Sequence, residues 1–255
     1  MKKIFCMIIF LLIPGIAWCQ AENGRPYLDR LYSAEGQLPI NTLVVDAEIY
    51  GPTDEKGSSS LTIWSRDKIV FKKPNKIKVT SVTVAPGDAM DGMPATIISD
   101  GQNSWMYISQ GQYPVKKQQD PQRPTLNLPP NLQTYPRDAG NPCIVVGDEN
   151  IKEINTKAVR IIDESRSIET TVWIDTKRWV PVQLEEKSPS KDGEGHNIIQ
   201  CRYRDFRKLK DGRWLPFVIE IHKNEQVANM VVFKAVSVNQ NIPDHIFEPM
   251  QQFVK

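Results

Sequence analysis

The chain is poor in the residues from which catalytic centres are most often built. It has three histidines in 255 residues, His196, His222 and His245, and no two stand at a metal-ligand spacing such as H-x-x-x-H. No metal site and no cofactor are therefore expected. Its 14 glycines are scattered, so there is no glycine-rich phosphate loop ahead of a helix and no G-x-S-x-G elbow. Ser65-Arg66-Asp67-Lys68 and Ser188-Pro189-Ser190-Lys191 match a bare S-x-x-K pattern, but the companion S-D-N and K-T-G motifs are missing. Charge of one sign is nowhere concentrated, which removes the electrostatic basis for binding nucleic acid.

Long apolar runs are also absent, with one exception at the start. Lys2 and Lys3 precede the run Ile4 to Ile13, followed by Pro14, Gly15 and small residues near Ala17 and Ala21. That run is shorter than the ~20 residues a membrane helix needs, and it has the layout of a secretory signal peptide. Residues 1–21 are read as a cleaved leader and 22–255 as one exported domain. The 32 basic residues lose Lys2 and Lys3 with the leader and then match the 30 acids, so no polyanionic partner is implied. Of the four cysteines, Cys143 and Cys201 remain, in a compartment where a disulfide can persist. They form either one bridge or two buried thiols.

What is present is strand. After a short helical pattern at Tyr27, Leu28, Leu31 and Tyr32, the period switches to two from Leu43 onward. Short runs rich in Val, Ile, Thr and aromatics extend over Leu43 to Tyr50, Leu61 to Trp64, Ile69 to Lys72, Ile77 to Val84, Ala95 to Ser99 and Ser104 to Ile108. They resume over Ile144 to Val146, Ala158 to Asp163, Ile168 to Asp175, Val180 to Glu185, Asn197 to Phe206, Trp214 to His222 and Asn229 to Val238. Asp100-Gly101 and Lys210-Asp211-Gly212-Arg213 are tight-turn signals, so consecutive strands are expected to pair antiparallel. Leu215, Phe217, Ile219 and Ile221 share one face of their strand, and Ile199, Cys201 and Tyr203 share one face of theirs. Between the two blocks, Gln118 to Pro142 carries six prolines, which no central strand tolerates. With Leu126, Leu128, Leu132 and Tyr135 interspersed, it reads as a lid lying over an apolar surface, the alternative being a solvated linker between two small domains.

Several of these segments resemble a known family. Ile69-Val70-Phe71-Lys72-Lys73-Pro74-Asn75-Lys76-Ile77-Lys78-Val79 is followed by Ile97-Ile98-Ser99-Asp100-Gly101-Gln102-Asn103-Ser104-Trp105-Met106-Tyr107. In that order they resemble the LolA-like periplasmic carriers and sorting proteins of outer-membrane lipoproteins, where an apolar strand, K-R-P, an apolar strand and S-D-G-x-x-x-W-x-Y recur. Val172-Trp173-Ile174-Asp175, Val180-Pro181-Val182 and the ending Ile242-Pro243-Asp244-His245-Ile246-Phe247-Glu248-Pro249 are similar to the same family. Position 73 departs from it: Lys73 stands where the family has an arginine that contacts the lid, and a point charge cannot make the same planar contact.

The resemblance implies a mainly β fold, an open, half-closed antiparallel barrel of about 11 strands with a short N-terminal helix and a helix and loop lid. It implies a non-enzymatic function: a periplasmic carrier that binds lipid or the acylated end of lipoproteins on an apolar concave face, for transfer toward the outer membrane. The alternative is a regulatory or sensor module on the same fold that binds lipoprotein or a partner protein. Expected partners are acyl chains and inner- or outer-membrane lipoprotein-transfer proteins, with the chain itself a monomer. Candidate cavity residues, chosen as large apolar side chains on strands, are Trp64, Phe71, Ile77, Trp105, Tyr107, Trp173, Leu184, Tyr203 and Phe217, with Lys73 as the lid contact.

Overall fold

A computed structural model describes residues 22–32, 40–53, 60–84, 91–108, 115–117, 141–190, 195–210 and 212–250. The expected leader and residues 118–140 of the expected lid lie outside these. The helix α1 spans Arg25–Tyr32. Asn23 starts it, its side-chain oxygen accepting the Arg25 backbone N–H at 3.0 Å, and Pro26 sits in the first turn, where no intrahelical donor is lost. Leu28 and Leu31, three residues apart, are both buried, so the helix is held by one apolar edge rather than by its length.

Thirteen strands follow: β1 Thr42–Pro52, β2 Leu61–Lys72, β3 Lys76–Thr83, β4 Pro94–Ser99, β5 Ser104–Ile108, β6 Val115–Lys117, β7 Cys143–Ile151, β8 Ile154–Asp163, β9 Ile168–Asp175, β10 Val180–Pro189, β11 His196–Lys208, β12 Trp214–Lys223 and β13 Gln226–Val238. They form a single antiparallel sheet in the order β6-β5-β4-β3-β2-β1-β13-β12-β11-β10-β9-β8-β7. The first and last strands pair at its centre, and the sheet does not close: its two edges, β6 and β7, are neighbours in sequence. This is the expected open barrel, with thirteen strands in place of about eleven. Leu61 to Trp64 and Ile69 to Lys72 are one strand, because the polar stretch between them keeps its ladder while a bulge at Trp64 absorbs the irregularity.

Turn chemistry fixes the register. Asp163 accepts the backbone N–H of Arg166, and Asp175 those of Lys177 and Arg178; each also accepts the Nε–H of the arginine three residues on, Arg166 and Arg178. The β7–β8 and β12–β13 hairpins turn on two residues with positive φ, Lys152 and Glu153, and Asn224 and Glu225. Such turns match the right-handed twist of the flanking strands, which offsets the cost of left-handed backbone at non-glycine residues.

The inner face carries the main core. Leu43, Val45 and Ala47 of β1, Ile69 and Phe71 of β2, Ile77 and Val79 of β3, Val172 and Ile174 of β9, and Leu215, Phe217, Ile219 and Ile221 of β12 belong to one buried cluster with Leu28 and Leu31 of α1. A second, smaller cluster lies on the outer face. There Ile242, Ile246, Phe247 and Met250 of the C-terminal segment pack on Val44, Val70, Ile98, Trp105 and Tyr107. A 3-10 turn over Asp244–Phe247 is pinned by Lys72 and Lys76, which reach Asp244 at 2.7 and 3.2 Å.

The two cysteines are free and buried. They stand on β7 and β11, with three strands between them at ~4.8 Å spacing, so the bridge left open by the sequence does not form.

Candidate functional site: the inner face of the sheet

The inner face changes character from one end to the other. On the β2–β3 ladder the cross-strand pairs run Phe71–Ile77, Ile69–Val79, Asp67–Ser81 and Ser65–Thr83. The first two are buried and apolar; the next two are polar and half-exposed, with the Ser81 hydroxyl donating to Asp67 at 2.6 Å. At the apolar end the turns of β2–β3, β9–β10 and β11–β12 meet, and Trp179, Phe206 and Leu209 pack against the core. Arg178 lies over the rings of Phe206 and Trp214, and Arg30 of α1 over Trp179, 4.2 Å from its centroid. Guanidinium faces over aromatic rings let cations cap an apolar end without leaving water entirely.

At the other end large apolar side chains of the same face are exposed. Trp64 is 46% exposed, Ile108 41% and Ile199 38%. Trp64 belongs to this face because its ring occupies the Cβ position of Gly51, and Gly51 shares its side of β1 with Ile49. Met106 and Ile108 belong to it through their partners Ile97 and Ala95 on β4. Side chains of this kind are normally buried or exposed only singly, so several on one rim make a candidate binding surface.

Of the residues named from sequence, Phe71, Ile77, Leu184, Tyr203 and Phe217 belong to the one inner cluster, while Trp64 stands on the same face at its exposed end. Phe71 and Ile77 are cross-strand partners, and Phe217 meets Phe233 edge to face with centroids 6.4 Å apart. Trp105 and Tyr107 are on the opposite face, in the small outer cluster; the Tyr107 hydroxyl accepts the Met250 backbone N–H at 3.0 Å. Trp173 is also on the outer face, between Val172 and Ile174 of the inner core, and its indole N–H is buried with no hydrogen-bond partner among the described residues. Size and hydrophobicity alone selected these three. The period of two along β5 and β9 assigns their side.

Lys73 lies in the β2–β3 turn at the apolar end. Burial pushes its ammonium below the usual lysine range, and the nearby Arg213 guanidinium pushes it further. Burial likewise pushes the Cys143 thiol up and the Cys201 thiol up to about 11; neither is an activated nucleophile. Among the described residues no group of three or more His, Cys, Asp or Glu side chains could hold a metal ion, and no helix is long and apolar enough to cross a membrane.

Solved structures share this architecture. A domain described as an outer-membrane lipoprotein-sorting protein from Vibrio parahaemolyticus superposes with a TM-score of 0.62 at 12% identity, covering 88% of this chain and 97% of that one. A LolA superfamily protein from Nitrosomonas europaea gives 0.58 at 14% identity, covering 90% and 99%. The chain has the LolA-like fold. A DUF1329 family protein from Desulfovibrio piger gives 0.62 at 11% identity, covering 89% of this chain and 98% of that one. No protein-family model matches the sequence, and no curated protein does. The likeness to these structures is one of fold, at 11–14% sequence identity.

Proposed function

We propose that this LolA-like chain is a periplasmic, non-enzymatic carrier that holds lipid, or the acylated end of a lipoprotein, against the inner face of its sheet. The observation that carries this reading is the gradient along that face: fully buried aliphatic and aromatic side chains at one end, exposed Trp64, Ile108 and Ile199 at the other. Removing each methylene of an acyl chain from water is worth ~0.8 kcal/mol. An apolar wall with an exposed rim can therefore hold a chain without polar chemistry. The proteins of like fold described as lipoprotein-sorting and LolA superfamily members support the same reading. The wall is assigned to Phe71, Ile77, Leu184, Tyr203 and Phe217, with Trp64 at the rim.

The test is native mass spectrometry of the protein purified from the periplasm, followed by organic extraction and lipid analysis of what co-purifies. A stoichiometric acyl-chain ligand is the expected result. A clean ligand-free mass, with no uptake of added lipid or lipopeptide, overturns the reading.

A further inference from the structure

Cations that are dispersed through the sequence are gathered by the fold at the apolar end of the sheet. The β2–β3 turn carries Lys72, Lys73 and Lys76 and no acid. The β9–β10 connection carries Lys177 and Arg178 against Asp175, and the end of β11 with its turn into β12 carries Arg207, Lys208, Lys210 and Arg213 against Asp205 and Asp211. Side-chain contacts tie these three places together. Arg178 lies over Phe206 and Trp214, on either side of the β11–β12 turn, at 4.7 and 5.6 Å from their centroids, and Lys208 is the cross-strand partner of that tryptophan. Arg213 is near enough to Lys73 for its guanidinium to push the ammonium down, which joins the β11–β12 turn to β2–β3. Arg30 of α1 reaches the β9–β10 connection over the ring of Trp179.

The acids described at this end are already engaged. Asp175 is bonded to Arg178, Asp205 to Arg207, and Asp244 to both Lys72 and Lys76. Asp100 of the β4–β5 turn accepts the backbone N–H groups of Gln102 and Asn103, Asp29 offsets Arg30, and Lys152 and Glu153 of the β7–β8 turn cancel. Lys73, Lys177, Lys208 and Lys210 form no ion pair among the described residues, and the last three are exposed. Cations in such excess raise a positive potential that repels within the protein and attracts an anionic surface.

Two features of this end favour lipid over protein as that surface. Its uncommitted exposed charges are lysines, which protein interfaces avoid but whose mobile point charge suits the phosphates of a bilayer. Trp179, Phe206 and Trp214 are half-exposed among them, and tryptophan beside cations is what sits at the level of lipid head groups.

We infer that the apolar end of the molecule is a docking surface for an anionic phospholipid bilayer. This goes beyond the carrier reading and does not rest on it. Trp64 and Ile199 lie at the opposite end, so docking leaves the rim of the inner face uncovered.

The test is co-sedimentation of the protein purified from the periplasm with vesicles of phosphatidylcholine, alone or mixed with phosphatidylglycerol, at neutral pH and low salt. Each lysine that reaches an anionic surface is worth about fivefold in partitioning. Binding to the mixed vesicles is therefore expected to be about a hundredfold tighter than to the neutral ones, to weaken with added salt and to shift tryptophan emission to the blue. Lys177→Ser/Lys208→Ser/Lys210→Ser, which removes three exposed ammonium groups, should bring the two kinds of vesicle to within about fivefold, with amphiphile uptake unchanged. Lys68→Ser/Lys187→Ser/Lys223→Ser removes as much charge from exposed positions on β2, β10 and β12 and should leave the preference within about twofold of the parent. Equal binding to the two kinds of vesicle, a preference that survives the first set of substitutions, or one that falls as far in the second, overturns the proposal. Binding of dextran sulfate, a soluble polyanion, without binding to the mixed vesicles also overturns it and assigns the surface to an acidic macromolecule. Each of these results leaves the carrier reading standing.

Discussion

The indole of Trp64 stands in the space that a side chain on Gly51 would need: a Cβ at that glycine would fall 1.9 Å from ring atom Cε2. Gly51 is a strand residue of β1, so it is required by close approach rather than by an unusual backbone angle. Gly51→Ala should drive the ring off the strand and into solvent, which its existing exposure permits. The expected cost is about 1 kcal/mol. Tryptophan emission should shift to the red, and amphiphile uptake should weaken because the rim loses its aromatic surface. A chemical melt and an emission spectrum of the single variant check both.

Cys201 gives a pH signature. Its thiol is pushed up to about 11 by burial, whereas in an unfolded chain it titrates near ~8.5. The folded state therefore holds its proton over a range in which the unfolded state has lost it, so stability falls as pH rises from about 8.5 to 11. The full effect is roughly 3 kcal/mol. Cys201→Ala should be less stable at neutral pH through lost packing, yet its stability should be flatter over the alkaline range. Denaturant melts of both proteins at pH 7 and pH 10.5 measure this. Protein lacking residues 1–21 should titrate two free thiols once unfolded, and reductant should not move its melting temperature.

Phe247 anchors the C-terminal segment to the outer face and is 1% exposed. Its truncation to alanine empties a site walled by Ile98 and Tyr107 and should cost about 3–5 kcal/mol. The Asp244 carboxyl beside it is held below the usual carboxylate range by Lys72 and then Lys76. A depressed carboxylate stabilises the fold above its unfolded value and loses that contribution as pH falls through the folded one. Acid should therefore loosen this segment first. Hydrogen exchange at Ile246 and Phe247 between pH 6 and pH 3 would show protection falling there before it falls in β12.

Much of the sheet was legible in the sequence because period-two alternation and turn residues are local signals. Leu215, Phe217, Ile219 and Ile221 were placed on one face from spacing alone, and all four are buried together. Ile199 shares the face of Cys201 and Tyr203 as expected, but at its strand end it is exposed, because the level of a residue along a curved sheet depends on which strands come to lie beside it. Trp105, Tyr107 and Trp173 were named for size, and their side follows from neighbours: Ile97 faces the core, so Ile98 and its partner Trp105 do not. β6 is only three residues long, too short to show a period, and the bridge between Cys143 and Cys201 depended on strand order, which no local pattern encodes.

The division between the two faces separates binding from stability. Trp64 is on the inner face and exposed, so Trp64→Ser removes apolar contact from the rim without opening a cavity. Its melting temperature should stay within a few degrees of the parent, roughly 1 kcal/mol or less, while affinity for a twelve-carbon amphiphile should drop by about tenfold, the worth of one large aromatic contact. Trp105 is on the outer face, packed against the cluster of Ile98, Tyr107, Ile242 and Phe247. Trp105→Ala should reverse the pattern, lowering stability by about 2–4 kcal/mol with affinity retained wherever the protein is folded. Paired thermal melts and binding titrations of the two variants decide the matter: loss of binding in Trp105→Ala at a temperature where it is fully folded would mean that the outer face, not the inner one, holds the ligand.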